Sequence, residues 1–177
     1  MLFRSTVSGF RFDPRTLRDV TPRQRSIYRG AICLILGRGT GARDFHTQAV
    51  ITRKLLEAEG IDDHHIFPAA YLESRGVNSV RERDCVLNRT LIDRTTNQVI
   101  GDRAPSEYLG TIRRTKGFPL DDVLASHSLP TGDDSPLFRN DYEGFRDWRQ
   151  DQLWQEIRFL TGATRAYDLE AGAEEVA

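Results

Sequence analysis

Apolar residues recur at helical spacing in several segments of this chain, and turn-forming residues separate those segments. The first such segment opens with TPRQ at residues 21–24, which has the order of an N-cap threonine, a first-turn proline and a capping-box glutamine. Apolar positions then follow at intervals of one to four residues up to Gly37, a typical helix stop. The pattern predicts a buried helix between Thr21 and Gly37.

Further helices are predicted from the same signals of capping and periodicity. Thr95 or Thr96 is the expected cap of a short helix, and Asn140 with Glu143 is the expected cap of the long final helix, which ends at Gly162. The predicted segments are residues 48–58 before Gly60, AAYLES at 69–74, NQVIG at 97–101, a helix that opens with Pro105-Ser106-Glu107, PLDDVLASH at 119–127, and that final helix.

One segment favours extended structure. DCVLNRTLID, residues 84–93, has the β-branched and apolar content of a strand or an extended loop. Together with the helices it predicts an α+β fold that is mostly helical. A chain of 177 residues is long enough for one core, so we expect a single domain, 1–177. Its expected parts are a helical N-terminal part (1–60), a core with the β element (61–110), a helical C-terminal part (111–165) and a weakly packed acidic tail (166–177).

Composition narrows the class of protein. Hydrophobic residues make up 38% and charged residues 29% of the chain, as in ordinary globular proteins, and no apolar run approaches the length of a membrane span. The first ten residues lack the apolar core of a secretory signal, so a cytoplasmic protein is expected. Cys33 and Cys85 are far apart and show no CxxC spacing, which argues against a disulfide framework or a cysteine zinc site.

Charge is divided along the chain although the net charge is only -1. Residues 1–116 hold 20 basic and 13 acidic residues, whereas residues 117–177 hold 5 basic and 13 acidic residues. The first region therefore has a net charge of +7 and the second a net charge of -8. Such asymmetry is compatible with a basic face for a polyanion, or with an ordinary mixed, solvated surface.

The candidate chemistry lies in DDHHIFP, residues 62–68, which contains two acids and two of the four histidines. Successive side chains of a strand point to opposite faces, so His64 and His65 are not expected to bind one ion together. We therefore expect the two histidines to have separate tasks. Phosphodiester hydrolysis needs such a division, because one residue removes a proton from water while others hold a hard cation on the phosphate.

DHHIFP followed by VLNRTLIDRTTNQVIGDRAPSEYL resembles the HNH nucleases, a ββα-metal group. The run is most similar to the C-terminal nuclease domain of GmrSD-type, modification-dependent restriction endonucleases. FRDWRQDQLWQEIRFLTG also resembles the last helix of many proteins of that type. The resemblance implies a ββα-metal (HNH) motif embedded among the α-helices.

The resemblance also implies a role for each residue of the motif. It makes His65 the general base and Asn88 the residue that braces the loop orienting that base, and it places His64 and Asn97 on the metal-ligand positions. An oxygen and nitrogen site with few protein ligands is suited to Mg²⁺ or Mn²⁺. Taken singly, each residue has another interpretation, since a histidine pair is often a surface feature and asparagine is often a cap or turn residue.

This chain departs from a common HNH pattern in two respects. It lacks the four cysteines that bind structural zinc in many members, and it has His64 where several relatives have aspartate. Asp62 or Asp63 could therefore reach the metal instead, and we keep Asp63 as a possible ligand. His46 and His127 match no part of the motif and are expected to be structural or exposed.

DNA is the expected substrate, and arginines near the motif are the expected phosphate contacts. We expect no reading of base sequence, because no recognition helix is evident. The candidate DNA-binding residues are Arg75, Arg81, Arg83, Arg89, Arg94 and Arg103.

The resemblance implies a metal-dependent endonuclease that leaves 5′-phosphate and 3′-hydroxyl ends. In GmrSD-type proteins the nuclease follows an N-terminal nucleotide-hydrolysing sensor of modified DNA, and the proteins restrict phage. We therefore expect such a sensor domain, or a separate partner subunit, to work with this chain. Two alternatives stay open, namely a nucleic-acid-binding module that does not cut and a bacterial toxin nuclease.

Overall fold

The computed structural model describes residues 11–37, 41–52, 60–116, 120–162 and 164–165. Within these ranges the fold is α+β and mostly helical, as the sequence predicts. The helices are α1 (Arg25–Leu36), α2 (Ala69–Ser74), α3 (Val80–Asp84), α4 (Arg94–Ile100), α5 (Pro105–Lys116), α6 (Leu120–Ser126) and α7 (Tyr142–Thr161), with 3₁₀ turns at Pro14–Asp19 and Val86–Asn88. The strands are β1 (Arg11–Phe12), β2 (Ile61–His65), β3 (Arg89–Asp93) and β4 (Thr164–Arg165).

Strands β2 and β3 form an antiparallel pair, and a short parallel pair joins β1 to β4. In the β2–β3 register His64 lies opposite Thr90, and His65 lies opposite Arg89. Residues that lie directly opposite each other share a face, and the face alternates along each strand. His64 and His65 therefore project from opposite faces of the sheet.

Each face of this sheet meets a different core. Ile92 of β3 belongs to a cluster built around Phe67 and Phe145, whose rings are 5.1 Å apart. The next residue back, Leu91, packs against a second cluster that contains Tyr28 and Ile35 of α1. The β2–β3 sheet thus separates two apolar clusters.

Helix α4 follows β3 without a loop. The Asp93 side chain accepts a hydrogen bond from the backbone N–H of Thr95, so Asp93 is the N-cap rather than Thr95 or Thr96. Gly101, with φ of 58°, ends the helix in a conformation that favours glycine. The short capped helix places Asn97 one turn after the end of β3.

Helix α1 starts later than the sequence predicts. The Gln24 side chain accepts hydrogen bonds from both the backbone N–H and the hydroxyl of Thr21, so the predicted pair does meet. However, these contacts close a turn that precedes the helix, and α1 begins at Arg25. The end at Gly37 agrees with the sequence, and so does the burial of Ala31 and Ile35, but Ile27 at the start of the apolar pattern is exposed.

The predicted cap of the final helix is wrong. Asp141 caps α7 by accepting a hydrogen bond from Gly144 N–H. Asn140, with φ of 54°, instead accepts from the backbone N–H of Ser106 and donates to its hydroxyl. Asn140 therefore accepts from a backbone N–H in the first turn of α5, which has no partner within the helix. Ser106 is 34 residues away from Asn140, so no local pattern indicates this contact.

The helix predicted over residues 48–58 is absent from its described part. Gln48 has φ of 61°, and Val50 forms an isolated antiparallel bridge with Arg43, so residues 48–52 are not helical. Residues 53–59 and the predicted acidic tail at 166–177 lie outside the described residues.

A buried arginine joins the last helix to the rest of the domain. Arg149 of α7 is fully buried and donates hydrogen bonds to the carbonyls of Leu87 (2.8 Å) and His127 (3.0 Å). Burial lowers the pKa of its guanidinium to about 9. The contact with Leu87 supports the 3₁₀ turn that immediately precedes β3.

Among the described residues, no helix combines the length and the apolar character needed to cross a membrane.

Candidate functional site

His64 and Asn97 meet on one face of the β2–β3 sheet, although they are 33 residues apart. His64 Nδ1 lies 2.8 Å from Asn97 Oδ1, and the Asn97 amide group donates to Asp62 Oδ2 at 3.0 Å. Since the Asn97 nitrogen is engaged with Asp62, its oxygen is the acceptor and His64 Nδ1 carries the hydrogen. The two metal-ligand positions of the sequence analysis are therefore in direct contact.

His64 is held as a neutral imidazole. Only 4% of the residue is exposed, and its ring stands edge-on to Tyr108 with the centroids 6.2 Å apart. Burial lowers its pKa to about 4, against the opposing hydrogen bond to Asn97. A neutral ring has a lone pair at neutral pH, and its buried Nε2 has no hydrogen-bond partner among the described residues.

Asp62, rather than Asp63, accompanies this pair. Asp62 is two residues before His64 and shares its face, with one carboxylate oxygen on Asn97 and the other 3.3 Å from Arg94 Nε. Asp63 projects from the opposite face, where its carboxylate accepts a hydrogen bond from Tyr28. The structure therefore does not bring Asp63, the possible further ligand, together with His64 and Asn97, because strand alternation turns its carboxylate away from them.

These donors suit a hard cation that keeps most of its water. Neighbouring ligands of an octahedral ion bound at about 2.1 Å lie roughly 3 Å apart, close to the separation of His64 Nδ1 and Asn97 Oδ1. A cation there would replace their hydrogen bond and would require the ring hydrogen of His64 to move from Nδ1 to Nε2, and Asp62 would add negative charge. No group of three or more His, Cys, Asp or Glu side chains able to hold a metal occurs in the described part of the chain.

His65 belongs to a separate network on the other face. Its Nε2 lies 2.7 Å from Asp84 Oδ1, and the same oxygen accepts from Arg89 Nη2 at 2.8 Å. Burial and the neighbouring Arg89 lower the pKa of His65, and Asp84 opposes this. Burial of Asp84 acts to raise the pKa of its carboxyl, but the hydrogen bond from His65 and the charge of Arg89 hold that pKa below the usual value.

Asn88 is completely buried between these elements. Its Oδ1 accepts from Phe67 N–H at 2.8 Å, while its Nδ2 donates to the carbonyls of Phe67 (3.0 Å) and Arg83 (2.9 Å). The Asn88 carbonyl also accepts from Ile66 N–H. All polar groups of the side chain are used on the backbone just after His65 and near Asp84.

The six candidate DNA-binding arginines differ in exposure. Arg83 and Arg89 are buried and ion-paired, Arg83 with Glu73 and Arg89 with Asp84, so neither offers a free guanidinium to phosphate. The DNA contacts predicted for these two are therefore not supported by their placement. The other four are at least partly exposed, namely Arg75 over the Tyr71 ring, Arg81 beside Asp19, Arg94 beside Asp62, and Arg103 on the carbonyls that end α4.

A surface cavity of about 280 Å³ borders the His65 network at Asp84. Two arginines line it, Arg23 and Arg81. Arg81 pairs with Asp19 at 3.1 Å, and both side chains are more than half exposed, so solvent screens their attraction. The cavity therefore holds these two arginines together with Asp84, the hydrogen-bond partner of His65.

Sequence reasoning missed two carboxylates that organise the site. Asp84 was included only in a strand pattern, and Asp44 was not singled out. Asp44 is 1% exposed and accepts from Thr96 Oγ1 and Asp93 N–H, both at 2.7 Å, where β3 passes into α4. Burial acts to raise the pKa of Asp44, but hydrogen bonds from Thr47, Thr96 and Asp93 lower it below the usual value. No local motif marks either residue.

His127 has the structural role expected of a histidine outside the motif. It is fully buried, with Nδ1 2.6 Å from Thr90 Oγ1 and Nε2 2.7 Å from the Arg43 carbonyl. A carbonyl only accepts, so Nε2 carries the hydrogen and Nδ1 accepts from Thr90.

Comparison with known proteins adds one distant relative. No protein-family model matches the chain, and no solved structure matches it. Over 112 residues, which are 62% of this chain, the sequence is 32% identical to an uncharacterized protein of Methanocaldococcus jannaschii. The chain covers 18% of that protein's length, so the likeness concerns one segment of a much longer relative.

Proposed function

We propose that this protein is a divalent-metal-dependent DNA endonuclease of the HNH type. The observation that carries the proposal is the contact between His64 Nδ1 and Asn97 Oδ1, which joins two residues that the HNH resemblance places on metal-ligand positions. The carboxylate of Asp62 beside Asn97, and the buried neutral ring of His64, agree with a site for Mg²⁺ or Mn²⁺.

The order of the elements gives independent support. Strand β2 carries the two histidines, β3 pairs with it in antiparallel fashion, and α4 follows directly and carries Asn97. This is the order of elements in a ββα-metal motif. Asn88, which would take the middle position of the motif, fixes the backbone of Phe67 two residues after His65.

In the proposed reaction His65 accepts a proton from water while the water oxygen forms a bond to phosphorus. The bond from phosphorus to the 3′ oxygen breaks in line with this attack, and the departing oxygen takes a proton from a second water, which leaves 5′-phosphate and 3′-hydroxyl ends. His64 and Asn97 would hold the cation, with Asp62 as a further ligand or as a neighbouring charge. The cation supplies positive charge that stabilises the transition state and the departing oxygen.

The substrate and the biological setting are part of the same proposal. Arg75, Arg81, Arg94 and Arg103 are available for contacts with the phosphate backbone, which would position DNA without reading its sequence. We place the domain as the nuclease effector of a modification-dependent, anti-phage restriction system. The GmrSD-type resemblance implies that such a domain works with a nucleotide-hydrolysing sensor domain or subunit, and the Methanocaldococcus relative is long enough to hold further domains beside the matched segment.

The test is the cleavage of supercoiled plasmid DNA by purified protein in Mg²⁺, Mn²⁺ or EDTA. We expect nicked or linear products with either metal, none in EDTA, and a large loss of rate in His65→Ala. A His46→Ala variant, which removes a histidine outside both networks, serves as the matched control and should cut like the wild type. DNA binding without metal-dependent cleavage would refute the nuclease and favour a binding module.

A further inference from the structure

Asp84 lies where it can control the orientation of the His65 ring. It is the last residue of α3, 19 residues after His65, and its Oδ1 is 2.7 Å from His65 Nε2. The carboxylate is partly covered, with 33% of its side chain exposed, and the His65 side chain is 23% exposed. The contact is therefore better shielded from water than an ordinary surface ion pair.

Arg89 fixes this carboxylate from the other side. Arg89 lies opposite His65 in the β2–β3 register, and its Nη2 donates to Asp84 Oδ1 at 2.8 Å. Its Nη1 donates to the backbone carbonyl of Asp63 at 3.2 Å, so the guanidinium is bound to β2 as well as to α3. Because Arg89 is only 9% exposed, its position is set by packing. The Asp84 oxygen is thus held between an imidazole and a guanidinium.

The chemistry of the carboxylate then determines the tautomer of the imidazole. An ionised carboxylate accepts hydrogen bonds and cannot donate them. His65 Nε2 must therefore carry the hydrogen of the neutral ring, which leaves the lone pair on Nδ1. Within the described residues, the hydrogen bonds of His65 involve Nε2 and not Nδ1.

We infer that Asp84 is a positioning residue, which holds His65 as its Nε2–H tautomer so that Nδ1 is the atom that accepts the proton from the attacking water. This inference rests on the proposed nuclease function for the reaction, whereas the tautomer itself does not depend on it. The proton moves from water to Nδ1 as the bond from oxygen to phosphorus forms, and Nε2 keeps its hydrogen bond to Asp84 throughout. Asp84 stabilises the resulting imidazolium and stays ionised.

The first test measures the tautomer in the metal-free protein, with no substrate. Histidine labelled with ¹⁵N gives distinct nitrogen shifts for the two tautomers, and the His65→Ala spectrum assigns the His65 signals. We expect the Nε2–H form for wild type above the titration range of the ring and a mixture of both forms in Asp84→Ala. A wild-type His65 in the Nδ1–H form would overturn the inference whatever the enzyme does.

The second test measures kcat and KM for plasmid nicking. We expect Asp84→Ala to lower kcat by about 10-fold or more with KM for DNA nearly unchanged, because the base is misdirected while the DNA contacts remain. Glu82→Ala is the matched control, since it removes another carboxylate of α3 that pairs with an arginine, Arg146, and does not contact His65. It should keep the wild-type kcat, and an equal loss in both variants would assign Asp84 a structural role only.

A double-mutant cycle separates action through His65 from any independent effect. If Asp84 acts through the ring, adding Asp84→Ala to His65→Ala should cause no further loss of rate, whereas additive losses would contradict the inference. If wild-type protein cuts no DNA at all, the proposed function fails, and the ¹⁵N spectra alone then decide whether Asp84 sets the tautomer.

Discussion

Asn88 holds the backbone of Phe67 at both of its polar groups, accepting from the N–H at 2.8 Å and donating to the carbonyl at 3.0 Å. The two residues are 21 positions apart, so the contact joins the end of β2 to the turn before β3. A side-chain amide can pair with a peptide group in this way because it offers the same donor and acceptor. The brace fixes the chain immediately after His65.

Removing this brace should destabilise the fold as well as reduce activity. Asn88→Ala leaves the N–H and carbonyl of Phe67 and the carbonyl of Arg83 buried without their partner. We expect the free energy of unfolding to fall by roughly 3 kcal/mol, measured by urea denaturation. Asn78→Ala, at an exposed asparagine, is the control. Equal stability of the two variants would show that the brace contributes nothing.

Asp44 should make stability depend on pH in the acid range. Its folded-state pKa lies below the ordinary value of 3.8, so the ionised carboxylate stabilises the fold above that pH. The stabilisation is lost as the pH falls through the folded-state pKa. We expect Asp44→Asn to unfold more easily by about 3 kcal/mol at pH 7 and the difference from wild type to narrow below pH ~4.

The measurement for Asp44 is the melting temperature at a series of pH values between 7 and 2. Asp102→Asn, at an exposed aspartate, is the matched control and should follow the wild type at every pH. A difference between Asp44→Asn and wild type that stays constant down to the lowest pH would mean that the Asp44 charge is not what holds β3 to α4.

Exposed and buried arginines should have different effects on DNA binding. Arg75 is exposed, so Arg75→Ala should weaken binding and lower the slope of log K against log salt by about 0.9 if it contacts one phosphate. Arg83 is 8% exposed and paired with Glu73, so Arg83→Ala should lower the melting temperature, and its main effect should be on stability rather than on the salt slope of DNA binding. Arg114→Ala, at an exposed arginine of α5, controls for the loss of one charge. Identical salt slopes for Arg75→Ala, Arg114→Ala and wild type would remove Arg75 from the DNA interface.

Some of this site could be predicted from sequence and some could not, for physical reasons. The separation of His64 from His65 follows from the two-residue period of a strand. The pairing of His64 with Asn97 was expected only because the chain resembles the HNH nucleases. The contact of Asp84 with His65, and that of Arg89 with Asp84, escaped prediction because both depend on strand register and on the path of the chain through α2 and α3.

Helix caps likewise include some contacts that the local sequence predicts and others that only the tertiary fold determines. Asn140 has the residue type and spacing of a cap for α7, yet it caps α5, because only the tertiary fold decides which helix lies within reach. Gln48 takes a left-handed conformation that few glutamines adopt, and a propensity argument would not find it. The mostly helical α+β class was predictable because it depends on the sum of many local patterns.

The most direct test of the separate tasks of His64 and His65 is a calorimetric titration with Mn²⁺, run beside nicking assays of the same variants. His65→Ala should bind Mn²⁺ with nearly wild-type affinity and cut DNA about 10²- to 10⁴-fold more slowly, since it loses only the base. His64→Ala and Asn97→Ala should bind Mn²⁺ at least about 10-fold more weakly, and excess Mn²⁺ should restore part of their cutting. Loss of Mn²⁺ binding in His65→Ala with unchanged binding in His64→Ala, or wild-type cutting by His65→Ala, would contradict this account.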